Sequence, residues 1–144
     1  MKEKDNIFGT MLFLAQRWTV NGDLILKQKT GITVKQWMLL IILLNNFKDQ
    51  HPTISETAKV FGTSRQNLKQ VALALRKKEL ITIRPDENDF RIQRIALTGK
   101  HESLFEGEDN IKWQQDYINS LFEELTNDEI IQLNTLVNKL VSNL

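Results

Sequence analysis

A run of donor and acceptor side chains between residues 64 and 70 could carry out the most specific chemistry in this chain. It comprises Ser64, Arg65, Gln66, Asn67, Lys69 and Gln70. Arginine can bond both acceptors of a guanine edge, asparagine and glutamine can bond adenine in the same two-point manner, and lysine neutralises phosphate. These residue types suit nucleic acid, although a merely solvated helix face fits the pattern equally well.

Apolar residues among and after them have helical spacing. At i, i+3, i+4 and i+7 stand Leu68, Val71, Ala72 and Leu75. Such a stripe predicts an amphipathic helix with the polar residues on its outer face.

Capping signals predict two short helices in the segment 53–77. Thr53 and Glu56 have the spacing of a capping box, in which the hydroxyl accepts the backbone N–H three residues on and the acidic side chain reaches back. Thr63 and Gln66 repeat this spacing. Gly62 lies between them, where a left-handed turn costs glycine little. Two helices joined by so short a turn predict a helix-turn-helix.

A hairpin is predicted directly after the second helix. Residues 80–83 and 92–97 are short runs rich in β-branched residues, and residues 85–89 between them are Pro-Asp-Glu-Asn-Asp, which favours a turn. Three arginines lie in or beside this hairpin, and we expect each of them to contact nucleic acid: Arg84, Arg91 and Arg94. One arginine at the tip of such a loop could enter a minor groove, where narrow A·T tracts concentrate negative potential.

Composition limits the classes of protein to be considered. With 144 residues, 41% hydrophobic and 26% charged, the chain is long enough for one domain with a core. Its longest apolar run, residues 37–44, is too short to span a membrane, and residues 1–8 lack the apolar stretch of a signal peptide. We therefore expect a cytoplasmic protein with no membrane partner. With no cysteine, disulfides and thiol chemistry are excluded.

The net charge of +1 conceals a strong asymmetry along the chain. Residues 1–52 hold seven Lys/Arg against four Asp/Glu, residues 53–100 hold ten against five, and residues 101–144 hold two against nine. The respective balances are +3, +5 and −7. The positive excess is greatest where the helix-turn-helix is predicted, which favours a polyanionic partner for that segment.

Helices are also predicted on both sides of this segment. Thr33 with Gln36 and Thr126 with Glu129 form further capping boxes, and residues 37–44 are apolar on every side, which predicts a buried helix. The terminal helices carry more apolar residues than a small DNA-binding domain needs, so we expect a homodimer that presents two recognition helices to a palindromic site. The alternative is that the same helices fold into the core of a monomer.

The chain as a whole resembles the MarR family of bacterial transcription regulators. The resemblance rests on residues 54–58 before Gly62, the helix start at residues 64–67, residues 75–81, and Asp89-Phe90-Arg91 followed by Leu97-Thr98. It implies a mostly α fold with a small β-hairpin wing, a winged helix-turn-helix at residues 33–100, and dimerisation helices at 1–30 and 101–144 of one domain.

The same resemblance implies roles for individual residues. Arg91 would enter the minor groove and Asp89 would brace the wing by pairing with a basic group, while residues 64–67 and Gln70 would meet the major groove. Glu79 departs from the family at a position that is commonly glycine, so a different helix cap is expected there. Phe90 also departs, since this wing position is often small or basic.

Many relatives bind small, often aromatic ligands, and four residues are candidates for such a pocket: Trp18, Trp37, Met38 and Trp113. Aromatic residues on helices are more often core, so this site is the weaker expectation. The two histidines, His51 and His101, lack ligand-spaced companions, so no metal site or other cofactor is predicted.

No nucleophile elbow, phosphate-binding glycine loop or helical metal-ligand pair is present, and we expect no enzymatic activity. The predicted function is sequence-specific, double-stranded DNA binding in transcription regulation, with repression as the default. The alternative is a winged-helix protein-interaction module, for instance an antagonist of a DNA-binding relative.

Overall fold

The computed structural model describes residues 1–144, which form seven α-helices and one two-stranded sheet. In chain order the elements are α1 (Lys2–Thr30), α2 (Val34–Ile42), α3 (Ile54–Phe61), α4 (Arg65–Lys77), β1 (Ile81–Pro85), β2 (Gln93–Leu97), α5 (His101–Phe105), α6 (Glu108–Leu121) and α7 (Asn127–Val141), with one π-helical segment, Leu43–Phe47, directly after α2. The chain divides into two compact units, Met1–Leu104 and Phe105–Leu144. The predicted fold class, mostly α with a small β-hairpin, is confirmed.

Three of the four predicted capping boxes are present, at Thr33, Thr53 and Thr126. The fourth, at Thr63, is wrong by one residue. The N-cap of α4 is Ser64, whose Oγ accepts the N–H of Asn67 at 3.1 Å. Thr63 belongs to the C-terminal cap of α3, because its N–H donates to the carbonyl of Ala58 at 3.1 Å. The residue before it, Gly62, has a left-handed φ of 82°.

The core of the first unit lies where α2, α3, α4 and the hairpin meet. Its buried apolar side chains are Leu26, Ile32, Leu39, Leu40, Leu43, Ile54, Ala58, Leu68, Ala72, Leu75, Leu80, Ile81 and Ile95. We predicted that the helix at residues 37–44 is buried on every side, and for a single copy of the chain this prediction is wrong. Leu39, Leu40 and Leu43 are buried, but Met38 on another face is 37% exposed.

The predicted hairpin is confirmed. β1 and β2 pair antiparallel, with Ile81 opposite Leu97 and Pro85 opposite Gln93. β2 is also attached to the segment that precedes α3, because the N–H of Ile95 donates to the carbonyl of Pro52 at 2.9 Å. The wing is therefore held against the helix-turn-helix by backbone bonds.

Glu79 ends α4 in the conformation that a glycine would adopt. Its φ is 62°, its N–H donates to Arg76 O at 2.9 Å, and the N–H of Leu80 donates to Leu75 O at 3.1 Å. These are the two bonds of a Schellman motif with Glu79 at the left-handed position. The expectation of a different cap is corrected: the cap is the usual one, formed by a residue that carries a side chain.

The helices α1, α6 and α7 bury few side chains. No residue of α6 or α7 is buried, and α1 buries only Gly22 and Leu26. Large apolar residues stay exposed on them, among which Phe8 is 69% exposed and Leu136 is 58% exposed. No helix of the chain has both the length and the apolar content needed to cross a membrane.

Candidate nucleic-acid interface

The outer face of α4 is open to solvent at every position that the sequence marked for DNA contact. All six side chains are exposed: Ser64, Arg65, Gln66, Asn67, Lys69 and Gln70. The opposite face of the helix is fully buried at Leu68, Ala72 and Leu75. This burial fixes the rotation of α4 about its axis, so the polar face must point away from the core. No acidic residue lies in its first turn.

The wing loop between β1 and β2 is organised by the carboxylate of Asp86. Its Oδ2 accepts the backbone N–H groups of Asn88 and Asp89, at 3.0 and 3.1 Å, and its Oδ1 lies 2.6 Å from Nε of Arg94. The bond from Arg94, followed by the backbone bonds, lowers the pKa of Asp86 below its ordinary value. The ionised carboxylate therefore stabilises the loop.

Arg94 connects this loop to the residues before α3. Its guanidinium pairs with Asp86, and Nη1 donates to the carbonyl of His51 at 2.8 Å. The same bond to Asp86 raises the pKa of Arg94. The side chain is 40% exposed, less than half of the exposure of Arg91. Two of its N–H groups are bonded within the chain, so Arg94 helps to hold the wing in place.

At the tip of the wing, Asp89 pairs with Arg91. Arg91 donates to the Asp89 carboxylate through Nε at 3.1 Å and Nη2 at 3.2 Å, and its backbone N–H donates to Oδ1 at 3.0 Å. These bonds lower the pKa of Asp89. The side chain of Arg91 is nevertheless 91% exposed. The basic partner of Asp89 is thus the same arginine that is expected to probe a groove.

Two clefts border the hairpin, and they separate the predicted arginines into two groups. The first, of about 430 Å³, is lined by Thr53, Ile54, Ser55, Arg65, Asp89, Arg91, Ile92 and Gln93. It brings Arg65 of α4 and Arg91 of the wing to one opening at the start of α3. The second, of about 410 Å³, lies beside β1 and is lined in part by Arg84, Asp86 and Arg94.

The candidate aromatic ligand site is not formed by either cleft. Trp18 and Trp37 are half-buried and Met38 is partly exposed, and none of the three lines a cleft beside the hairpin. Trp113 belongs to the second unit, where its Nε1 donates to Asn110 Oδ1 at 3.3 Å. Of the two histidines, His51 lies in an exposed loop and His101 lies at the start of α5.

Sequence reasoning missed Asp86. The sequence pattern places this residue only in the loop, yet it accepts three bonds and holds the wing together. A local signal was available, because aspartate after proline often bonds the backbone N–H two residues on. The bond to Arg94, eight residues away, had no such signal.

Solved structures share this arrangement, although no protein-family model and no curated protein matches the sequence. S. aureus MepR in complex with DNA is 23% identical, with 93% of this chain and 94% of that chain covered and a TM-score of 0.72. Sco3205, a MarR family transcriptional regulator from Streptomyces coelicolor solved with DNA, is 18% identical over 100% and 89% of the two chains, with a TM-score of 0.78.

A third structure concerns regulation of the DNA binding of Bordetella bronchiseptica BpsR by 6-hydroxynicotinic acid. It is 18% identical over 92% of this chain and 98% of that chain, with a TM-score of 0.68. Since these similarities span nearly the whole of each chain, this chain has the fold of MarR family transcriptional regulators. The resemblance predicted from the sequence is confirmed at the level of fold.

Proposed function

We propose that this chain is a MarR family transcription regulator that binds double-stranded DNA in a sequence-specific manner in the cytoplasm. The observation that carries the proposal is the outer face of α4, where six polar side chains are exposed. One of them, Arg65, lines the same cleft as Arg91 of the wing. An α-helix fits the major groove of B-DNA, and an adjacent loop can follow the backbone into the minor groove.

The geometry supports different roles for the basic residues. Arg65, Asn67 and Gln70 are exposed on α4 and have the chemistry to bond base edges, while Lys69 suits a phosphate. Arg91 suits the minor groove because its side chain is almost fully exposed at the wing tip. Arg84, exposed on β1, suits the DNA backbone.

Arg94 takes a different role in this proposal. Its bonds to Asp86 and to the carbonyl of His51 use two of the five guanidinium N–H donors and hold the side chain against the wing. Its charge is already paired with that of Asp86, which leaves it less available to a phosphate. Arg94 thus positions the wing, and its replacement would act on DNA binding through the wing's placement.

A homodimer is the second part of the proposal. Helices need a buried apolar face to be stable in water, yet α7 buries no side chain, although Leu133, Leu136 and Leu140 lie along it at helical spacing. A second copy of the chain, related by a two-fold axis, would bury this apolar stripe of α7.

The third part of the proposal is that the chain represses transcription and that a small aromatic ligand relieves this repression. Regulation of BpsR by 6-hydroxynicotinic acid supports it by fold-level analogy alone. Trp18, Trp37 and Met38, all in the first unit, are the side chains that we propose for such a site. Binding would be tested by the change in tryptophan fluorescence on titration with aromatic carboxylic acids.

DNA binding is tested by the salt dependence of affinity for a mixed pool of duplexes. Because phosphate neutralisation releases counterions, affinity should fall steeply, by about 10³-fold or more, between about 50 and 200 mM salt. Lys69→Ala should reduce the slope of log affinity against log salt by about 1 for each copy of the chain on the duplex, and so by about 2 for the proposed dimer. The matched control is Lys112→Ala, an exposed lysine on the acidic helix α6, which should leave the slope unchanged.

Base reading is tested separately, on the duplex selected by the wild-type chain. Asn67→Ala should relax the preference at one base position by about 1–3 kcal/mol and leave the salt slope in place. If no duplex is retained even at low salt, DNA binding is refuted, and a protein-interaction module becomes the better account of the same fold.

A further inference from the structure

Phe90 is a large apolar residue at the tip of the wing, and it is 80% exposed. Apart from residues at the chain ends, no large apolar side chain of this protein is more exposed. Single exposed apolar residues are common on protein surfaces. This one is unusual in its position, because it stands in a tight turn, where glycine, proline, asparagine, aspartate and serine predominate.

The backbone of the turn is held by several hydrogen bonds. The N–H of Ile92 donates to the carbonyl of Asp89 at 3.0 Å, which makes Phe90 and Arg91 the two central residues of the turn. A second bond, from Asp86 N–H to Ile92 O at 2.8 Å, closes the loop behind it. With the Asp86 carboxylate holding Asn88 and Asp89, the tip is presented in one conformation before any partner binds.

Phe90 and Arg91 must therefore approach a partner together. Consecutive Cα atoms are about 3.8 Å apart. The minor groove of B-DNA is about 6 Å wide. If Arg91 enters that groove, as the proposed function holds, the ring of Phe90 reaches the groove or its sugar-lined wall at the same time. This step rests on the proposed DNA binding.

Charge alone does not explain how the tip would favour DNA. Residues 85–92 contain Asp86, Glu87 and Asp89 against the single positive charge of Arg91, so the loop carries −2. The guanidinium of Arg91 is moreover already paired with Asp89. Long-range attraction to phosphates must come from elsewhere, chiefly α4. What the tip can add at short range is the apolar surface of Phe90.

We propose that Phe90 is a specificity-determining residue whose ring wedges against a base step in the minor groove beside Arg91. Apolar side chains that enter the minor groove partly unstack base pairs and bend the duplex. Pyrimidine–purine steps, TA and CA/TG, deform most easily. The wing would accordingly select such a step through its deformability, a preference that is independent of hydrogen bonds to base edges.

The test compares the full-length wild type, Phe90→Ala and Phe90→Leu, each used to select duplexes from a random-sequence pool. The wild type should enrich a pyrimidine–purine step flanking the site read by α4. Phe90→Ala should lose that enrichment and bind the selected duplex about tenfold more weakly, while Phe90→Leu, which keeps an apolar side chain, should retain part of both. Because Phe90 is exposed, all three should melt at the same temperature.

Two further readouts separate a wedge from an electrostatic contact. The salt slope of Phe90→Ala should equal that of the wild type, in contrast to the reduced slope of Lys69→Ala. A 2-aminopurine placed at the selected step should brighten when the wild type binds and should not when Phe90→Ala binds.

The outcomes are distinguishable from failure of the proposed function. If the wild type retains no duplex, DNA binding itself is wrong and the wedge is wrong with it. If the wild type binds and Phe90→Ala selects the same sequences with the same affinity, the wedge alone is overturned. A reduced salt slope for Phe90→Ala, or an unchanged 2-aminopurine signal with the wild type, would also overturn it.

Discussion

Replacement of Glu79 by glycine should stabilise the protein. Glu79 lies at the left-handed end of α4 with φ 62°, a region in which the Cβ of an ordinary residue is crowded by the following backbone. That conformation costs a residue with a side chain about 1–2 kcal/mol. Glycine avoids this cost, but it loses more conformational entropy on folding, which destabilises the folded state by about 0.5–1 kcal/mol. The free energy of unfolding should rise by the difference, about 0.7 kcal/mol.

Little else should change in Glu79→Gly. The side chain is 81% exposed, and its one ion pair, to Nζ of Lys100 at 3.5 Å, is solvated and contributes little. The backbone conformation is held independently by the Schellman bonds and by Thr98, whose Oγ1 donates to the carbonyl of Glu79 at 2.7 Å. The glycine variant should therefore keep both the cap and the position of the hairpin.

The assay is urea and thermal unfolding at one fixed protein concentration, because the apparent stability of the proposed dimer would depend on concentration. The melting temperature should rise by about 1–3 °C. Glu79→Ala is the matched control, since it removes the same carboxylate but keeps the Cβ and its strain. If the alanine variant is as stable as the glycine variant, the strain at this residue is not what limits the cap, and the reasoning is refuted.

Three other perturbations follow from the structure. Ser64→Ala should lower the free energy of unfolding by about 1 kcal/mol in urea titrations while Thr63→Ala costs much less, and the reverse order would show that Thr63 is the cap. The pKa of Asp86 is depressed, so its ionised form stabilises the folded wing above about pH 4 and that contribution is lost as pH falls through the folded pKa. The backbone N–H groups of Asn88 and Asp89 donate to Asp86, so their NMR resonances should shift over that pH range. Wild-type resonances that match those of Asp86→Asn at every pH would contradict this prediction. Leu136→Glu should give a monomer in analytical ultracentrifugation, whereas Asn138→Glu, on the opposite face of α7, should leave the dimer intact; two dimers would place the interface elsewhere.

Much of the helix-turn-helix was predictable because its determinants are local. A capping box requires only two residues three positions apart, and those at Thr33, Thr53 and Thr126 formed as expected. The stripe at Leu68, Ala72 and Leu75 likewise decides which face of α4 is buried. The hairpin was predictable from two β-branched runs around a turn-forming cluster.

The tertiary structure decided matters that involve competition or distant partners. Thr63 and Ser64 both have a hydroxyl that could cap α4. In the folded chain the backbone of Thr63 belongs to the end of α3, because its N–H donates to Ala58 O, and the hydroxyl of Ser64 caps α4. Arg94 had the composition of a DNA contact. Its bond to the carbonyl of His51 bridges 43 residues of sequence, and no local pattern could have revealed it.

The sequence by itself thus determined the fold, the orientation of α4 and the identity of the exposed polar side chains, since each depends on periodicity or on neighbours within a few residues. Only the tertiary structure assigned Asp86 and Arg94 to the framework of the wing, and it left Phe90 and Arg91 exposed at the tip. The physical reason is that a charged side chain takes whichever partner the folded backbone brings within bonding distance. That choice exists only once β1, β2 and the start of α3 have come together.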